Sequence, residues 1–343
     1  MTSDISFEVN NHLAKITLNR PKALNALNYS MFEQFHAHLV QWQKDTSIKA
    51  VIARSDCEKA FCAGGDIRAI YENKHLSADD LSDYFRLEYA INLLIAHFKK
   101  PYIALTHGIT MGGGIGISLH GSHCVAAENL RWAMPETLIG FFPDVGATYY
   151  LSRLPNHVGT YLALTGNAID AQTALQLGLV KTCVSLENFD TLEKKLTETP
   201  FDSNDFDAVT KVINQFSAND LDVEKILPIK EIASTFCFST IEEILNALSS
   251  LNTVWSQETL SQLLKRSPTS LKVAHHQLHI AKAKTIDEVI AMDFRIAHTM
   301  LEYHDFYEGV RAAVIDKDKN PKWKPRNIVD VTDEVVSLYF LEE

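Results

Sequence analysis

Glu136 and Asp144 stand eight residues apart in the apolar stretch MPETLIGFFPDVG, twenty residues beyond a glycine cluster, Gly112-Gly113-Gly114-Ile115-Gly116. Carboxylates in apolar surroundings can attack a carbonyl or move protons, because burial and neighbours tune their acidity. A glycine-rich turn can present backbone N–H groups to a developing oxyanion, since no Cβ blocks the approach. The combination points to acyl chemistry with neither a metal nor a serine nucleophile. A second small-residue loop, Phe61-Cys62-Ala63-Gly64-Gly65-Asp66, also follows a short apolar run. An oxyanion hole needs two convergent donors, and two such loops can supply them.

Each feature also has a plainer explanation. The glycine cluster can be a tight turn required by packing. It is not a dinucleotide fingerprint, because Ile117 and Leu119 occupy the places a third glycine would need. Asp144 can be the N-cap of a helix starting at Val145, and Glu136 can pair with Arg131 or Arg153. Glu88 falls on the apolar stripe of a helix spanning about Leu81 to Phe98, so burial demands a partner or a raised pKa. That partner can be Arg68, or Glu88 can face a substrate. His120, His123, His275 and His276 lack metal-ligand spacing, and no GxSxG elbow is present. No metal or cofactor is expected.

The elements that would carry these residues alternate. Ile5 to Leu18 reads as two strands broken at Asn10-Asn11, and Asn28 caps a helix through about Trp42 with Met31, Phe35, Leu39 and Trp42 on one face. Ala50 to Ala53 is a short strand. Pro101 ends the second helix, Tyr102 to Leu105 is a buried strand, and Ile115 to Leu119 should open another helix. This alternation indicates an α/β core. The segment 197–225 is polar and acidic, and reads as an insertion or connection. From 240 onward the pattern is helical, with capping-box spacing at Thr285-Ile286-Asp287-Glu288. The expected organisation is a catalytic core over 1–200, then an insertion and helical C-terminal region over 201–343 ending in a basic tail (Lys317, Lys319, Lys322, Lys324, Arg326).

A net charge of −11 across 343 residues argues against general nucleic-acid or anionic-membrane binding. The first residues carry no signal-peptide or Arg-rich transit pattern, and the five cysteines form no CxxC pair. A reduced, cytoplasmic protein is the expectation.

Four segments, LNRPKALNAL (18–27), FCAGGDIRA (61–69), HGITMGGGIGISLHG (107–121) and MPETLIGFFPDVGATYYLSRL (134–154), resemble the crotonase superfamily of acyl-CoA enzymes. SPTSLK (267–272) and HDFYEGVRAAVIDKDKNPKWKP (304–325) are similar to the C-terminal region of a thioester-hydrolysing branch. The resemblance implies a spiral of ββα units followed by a helical region. It implies an oxyanion hole from the Gly65 and Gly113 amides, Glu136 as catalytic glutamate, Asp144 as second carboxylate and Glu88 as a substrate contact. Ala23, Leu24, Ala63, Asp66 and Ile67 lie where the superfamily holds CoA, with the basic tail as a phosphate contact. Hydratases of the superfamily carry a second glutamate where this chain has Gly116. Hydrolysis of a short-chain 3-hydroxyacyl-CoA thioester is therefore the expected activity. An enoyl-CoA hydratase or isomerase, and a non-catalytic acyl-CoA- or RNA-binding relative, are the alternatives. Assembly into trimers or hexamers is a further implication.

Overall fold

The computed structural model describes residues 3–201, 204–218 and 227–341. Contacts divide the chain into two compact units. One gathers 1–65, 87–132 and 168–226; the other gathers 66–86, 133–167 and 227–343.

The first unit holds the sheets. Strands β1 (Ile5–Asn10), β2 (Leu13–Leu18), β3 (Ala50–Ser55), β4 (Ala60–Cys62), β5 (Tyr102–Thr106), β6 (Ile109–Met111), β7 (His123–Ala126), β8 (Arg131–Ala133) and β9 (Thr182–Cys183) form two sheets. The larger runs β1-β2-β3-β5-β7-β9, and the smaller runs β4-β6-β8. β1 and β2 pair antiparallel across the expected Asn10-Asn11 turn, with Ile5 opposite Leu18; β2, β3, β5, β7 and β9 run parallel. Central strands of a parallel sheet are covered on both faces, which explains why β3 and β5 read as apolar runs without alternation. Ile52, Ile103, Leu105 and Val125 pack there with Phe189, Leu192 and Val209.

Local signals place most helix ends. The Asn28 side chain accepts from the Met31 amide at 2.9 Å and opens the helix Tyr29–Lys44, whose buried face includes Met31, Phe35, Leu39 and Trp42 as expected. The second helix covers Ala78–Ala96, starting earlier than the apolar stripe suggests, because the Ser77 hydroxyl accepts from the Asp80 amide. At the glycine cluster the helix opens at Gly113 and closes at Gly116, so the expected helix over 115–119 is not formed. Glycine is among the poorest helix formers, and the Ser118 hydroxyl ties back to the Gly114 carbonyl at 2.7 Å instead of leading onward. Within 197–225, Asn204 caps a helix Asp205–Asn214; residues 202–203 and 219–225 of that segment lie outside the described residues.

The second unit is largely helical. Its longer helices include Ile241–Leu251, Val254–Leu263, Pro268–Ala281 and Ile286–Glu302. The capping box expected at Thr285 is present: its hydroxyl accepts from the Glu288 amide, and the Glu288 carboxylate accepts from the Thr285 amide at 2.8 Å. The basic tail is irregular. It is tied down by Arg311, whose guanidinium holds Glu308, Asp316 and Asp318, while Glu308 also accepts from the Lys322 amide. Among the described residues no helix is long and apolar enough to cross a membrane.

Candidate active site

Two of the predicted donors meet within the first unit. A β-carbon at Gly113 would stand 3.2 Å from the Gly65 amide nitrogen, and one at Gly64 would stand 3.6 Å from the Gly113 amide nitrogen. Both candidate donors follow a glycine with positive φ: 117° at Gly64 and 48° at Gly112. Only glycine adopts such conformations freely, so the two small-residue loops have a backbone reason for their composition. The Leu27 amide anchors the first loop by donating to the Gly64 carbonyl at 2.9 Å. Among the described residues, no hydrogen bond has the Gly65 or Gly113 N–H as its donor. Two such N–H groups side by side can receive one ligand oxygen. The helix behind Gly113 is a single turn, so its dipole adds little and the individual N–H groups carry the electrostatics.

Glu88 joins this cluster. It is 2% exposed, and its Oε1 lies against the position a Gly113 side chain would take. Glycine at 113 leaves room for that carboxylate. The Arg68 guanidinium, a suggested partner for Glu88, instead donates to the Val314 carbonyl at 2.9 Å and approaches Glu72. One turn further along the same helix is Asn92, fully buried, with neither amide atom hydrogen-bonded among the described residues.

Of the residues expected near CoA, three cluster in the first unit. Pro21–Ala23 form a short 3₁₀ turn, Leu24 takes a left-handed conformation (φ 51°), and the Ala63 amide donates to the Leu24 carbonyl at 3.0 Å. Asn25 braces this corner, accepting from the Arg20 amide and donating to Ser55 and the Phe61 carbonyl. Asp66 and Ile67 belong to the second unit. The Asp66 side chain caps the helix Ile67–Glu72 through the Ala69 amide at 3.4 Å, and its own amide donates to the Tyr84 hydroxyl at 2.8 Å.

Glu136 and Asp144 are both buried, at 8% and 5% exposure. Glu136 starts a 3₁₀ turn (Glu136–Ile139) closed by Gly140 at φ 69°. The helix His304–Val310 lies directly behind it: β-carbons at Gly140 and Gly309 would strike the Asp305 carbonyl and the Ile139 backbone. Thr137 bonds the Leu164 carbonyl, and Phe141 stacks with Phe85, so the turn is wedged between packed aromatic and backbone surfaces. The helix-cap explanation of Asp144 fails. Val145 is left-handed (φ 52°), Gly146 is left-handed too, and the helix opens only at Ala147. Arg153, one suggested partner for Glu136, is spent on the Ala281 and Lys284 carbonyls and stacks on Tyr149.

Asp293 escaped the sequence reading. It is fully buried in the helix Ile286–Glu302, accepts from the Gly146 amide at 2.8 Å, and accepts from Gln277 at 2.7 Å. Burial, with the Asp144 charge adding to it, holds its carboxyl well above the usual aspartate range. A signal was available: Asp293 continues the apolar stripe of Val289, Ile290 and Ile296, just as Glu88 does on its own helix.

Comparisons with known proteins agree with this architecture. A Bos taurus protein named 3-hydroxyisobutyryl-CoA hydrolase, mitochondrial, is 43% identical over 329 residues, covering 95% of this chain and 85% of that protein. The solved structure of a carnitinyl-CoA dehydratase from Mycobacterium thermoresistibile superposes with a TM-score of 0.91 at 30% identity, covering 100% of this chain and 97% of its own. An enoyl-CoA hydratase from Rhodobacter sphaeroides 2.4.1 gives 0.89 at 31% identity, with 98% and 97% covered. The cytoplasmic expectation is overturned, because the Bos taurus relative is a mitochondrial protein by name. That expectation leaned on the lack of a signal or transit pattern together with cysteines in no CxxC pair, and neither feature singles out one compartment. The model of the enoyl-CoA hydratase/isomerase family matches residues 13–340. With the family model matching nearly its whole length and its fold superposing on a solved member, the chain belongs to the enoyl-CoA hydratase/isomerase, or crotonase, family.

Proposed function

We propose that this chain hydrolyses a short-chain 3-hydroxyacyl-CoA thioester, with 3-hydroxyisobutyryl-CoA, an intermediate of valine breakdown, as the favoured substrate. The observation that carries the reading is the 43% identity over 95% of the chain to a protein named for that reaction. Gly116 adds to it. This buried residue has no side chain where hydratases of the superfamily place a second glutamate, so water activation by a glutamate pair is not available there.

In the proposed mechanism the thioester oxygen is received by the Gly65 and Gly113 amides, each such donor being worth about 3 to 4 kcal/mol at the tetrahedral stage. Glu136 either attacks the carbonyl carbon, expelling CoA as thiolate and leaving a mixed anhydride for water to cleave, or takes a proton from the attacking water. Asp144 orients the substrate hydroxyl or the water and manages protons. Glu88, Ala23, Leu24, Ala63, Asp66 and Ile67 are the proposed substrate contacts. Trimeric or hexameric assembly belongs to the same reading and is checked by sedimentation.

Thiol release across a panel of short hydroxyacyl-CoAs tests the proposal. Fast release from 3-hydroxyisobutyryl-CoA supports it, and absence of release from every member sinks it. After one turnover in ¹⁸O-water, label in the Glu136 carboxyl group supports the covalent route. The solved hydratase and dehydratase structures keep a second reading open, addition of water to an enoyl-CoA. Loss of the conjugated-enone absorbance of crotonyl-CoA would favour it.

A further inference from the structure

The turn that carries Asp144 is strained and clamped. Val145 has φ 52°, a left-handed conformation that disfavours a β-branched side chain, and Gly146 follows at φ 73°. Left to local preferences, the segment would leave this conformation. Two buried side chains hold the turn, one at each end. One Asp293 oxygen accepts from the Gly146 amide at 2.8 Å, while the Gln277 amide group donates to the Pro143 carbonyl at 3.1 Å. The same Gln277 nitrogen donates to the other Asp293 oxygen at 2.7 Å, joining the two grips into one unit. The orientation of the Gln277 amide is dictated by its neighbours. Turned the other way, its oxygen would face two acceptors, a carbonyl and a carboxylate.

We propose that Asp293 is a positioning residue: with Gln277 it locks the 143–146 turn and thereby fixes where Asp144 presents its carboxylate. The inference rests on the reading of Asp144 as a working carboxylate of the site. A buried carboxylate is an expensive way to brace a turn. Burial and the Asp144 charge raise its proton affinity, and the bonds it accepts from the Gly146 amide and Gln277 favour the ionised form against that rise. A purely structural brace could use a neutral acceptor. What distinguishes the carboxylate is two acceptor oxygens in one rigid plane, serving the Gly146 amide and Gln277 together. Asparagine has the same shape but a single oxygen, so one of the two grips is lost in Asp293→Asn.

The experiment compares Asp293→Asn, Gln277→Met, Val145→Gly, Asp293→Asn/Val145→Gly and Asp144→Asn in the full chain, reading kcat and KM by thiol release and folding by circular dichroism and thermal melting. Asp293→Asn and Gln277→Met are each expected to lower kcat on the order of 10- to 100-fold with KM changed by less than about threefold, as for a misplaced reacting group. Adding Val145→Gly to Asp293→Asn should recover much of the lost kcat, since glycine accepts the left-handed turn without a clamp. A lowered melting temperature with unchanged kcat in both clamp variants would overturn the proposal and leave Asp293 a stabilising residue only. Wild-type turnover in Asp144→Asn would instead remove the underlying reading of Asp144, and the positioning role with it. Should Asp293→Asn fail to fold, Gln277→Met, which leaves the Asp293 bond to Gly146 in place, decides the question alone.

Discussion

The Gly65 amide nitrogen lies 3.2 Å from the point where a side chain on Gly113 would begin, and the Glu88 carboxylate lies against that same point. One missing β-carbon therefore lets two loops and a buried acid share a small volume. The glycine is required by what surrounds it, independent of any helix behind it.

Gly113→Ala should cost activity more than stability. The added methyl collides with Glu88 and crowds Gly65, which moves at least one donor away from a common ligand oxygen. Loss of one such donor lowers turnover by about 10²- to 10³-fold. Thiol release on the purified variant checks this, and wild-type kcat would remove Gly113 from the proposed oxyanion site.

Glu136→Gln keeps the shape of the side chain and removes its ability to attack or to take a proton. A fall in kcat of about 10²- to 10⁴-fold is expected, with an unchanged circular dichroism spectrum. Near-normal turnover would refute the role assigned to Glu136.

Gly140→Ala should be one of the more damaging small substitutions. The residue has φ 69°, and an added β-carbon would run into the Asp305 carbonyl, which is backbone and cannot swing aside. Strain and collision together should destabilise the protein by about 2 kcal/mol or more in urea unfolding. Because Gly140 closes the turn that starts at Glu136, activity should fall with it. An unchanged midpoint would show that the helix His304–Val310 yields more readily than its packing suggests.

His123 links stability to pH. Burial pushes its pKa down from 6.5 to about 4. Between those values the unfolded chain binds the proton and the folded chain does not, so stability is complete above about pH 6.5 and declines as pH falls toward 4. Its ring nitrogens bond Ser122 and Thr210, at 2.8 and 2.9 Å. His123→Gln keeps hydrogen-bonding capacity without the titration. Urea midpoints from pH 7 to 4 should slope less steeply in the variant, and parallel slopes would exclude His123 as a contributor.

The clearest sequence signals were those that act within a few residues. Asn28 and Thr285 cap helices because a side-chain oxygen reaches an amide three positions on, and both caps are present. Glu88 was singled out because helical periodicity placed a charge on an apolar stripe, and it is buried. The same rule, applied to the helix Ile286–Glu302, would have found Asp293. Where local rules competed, sequence reasoning was less secure: the glycine cluster read as the start of a longer helix, although four glycines in five residues support only one turn.

Sequence alone determined the alternation of strands and helices, the two small-residue loops and the presence of buried acids, because side-chain size, capping and periodicity are properties of neighbouring residues. Tertiary structure alone decided that Gly65 and Gly113 lie side by side across 48 positions, and that Asp293 grips Gly146 across 147. Such contacts exist only after the intervening chain has closed its loops and buried its core. No local preference encodes that distance, and the left-handed conformation of Val145 runs against local preference altogether.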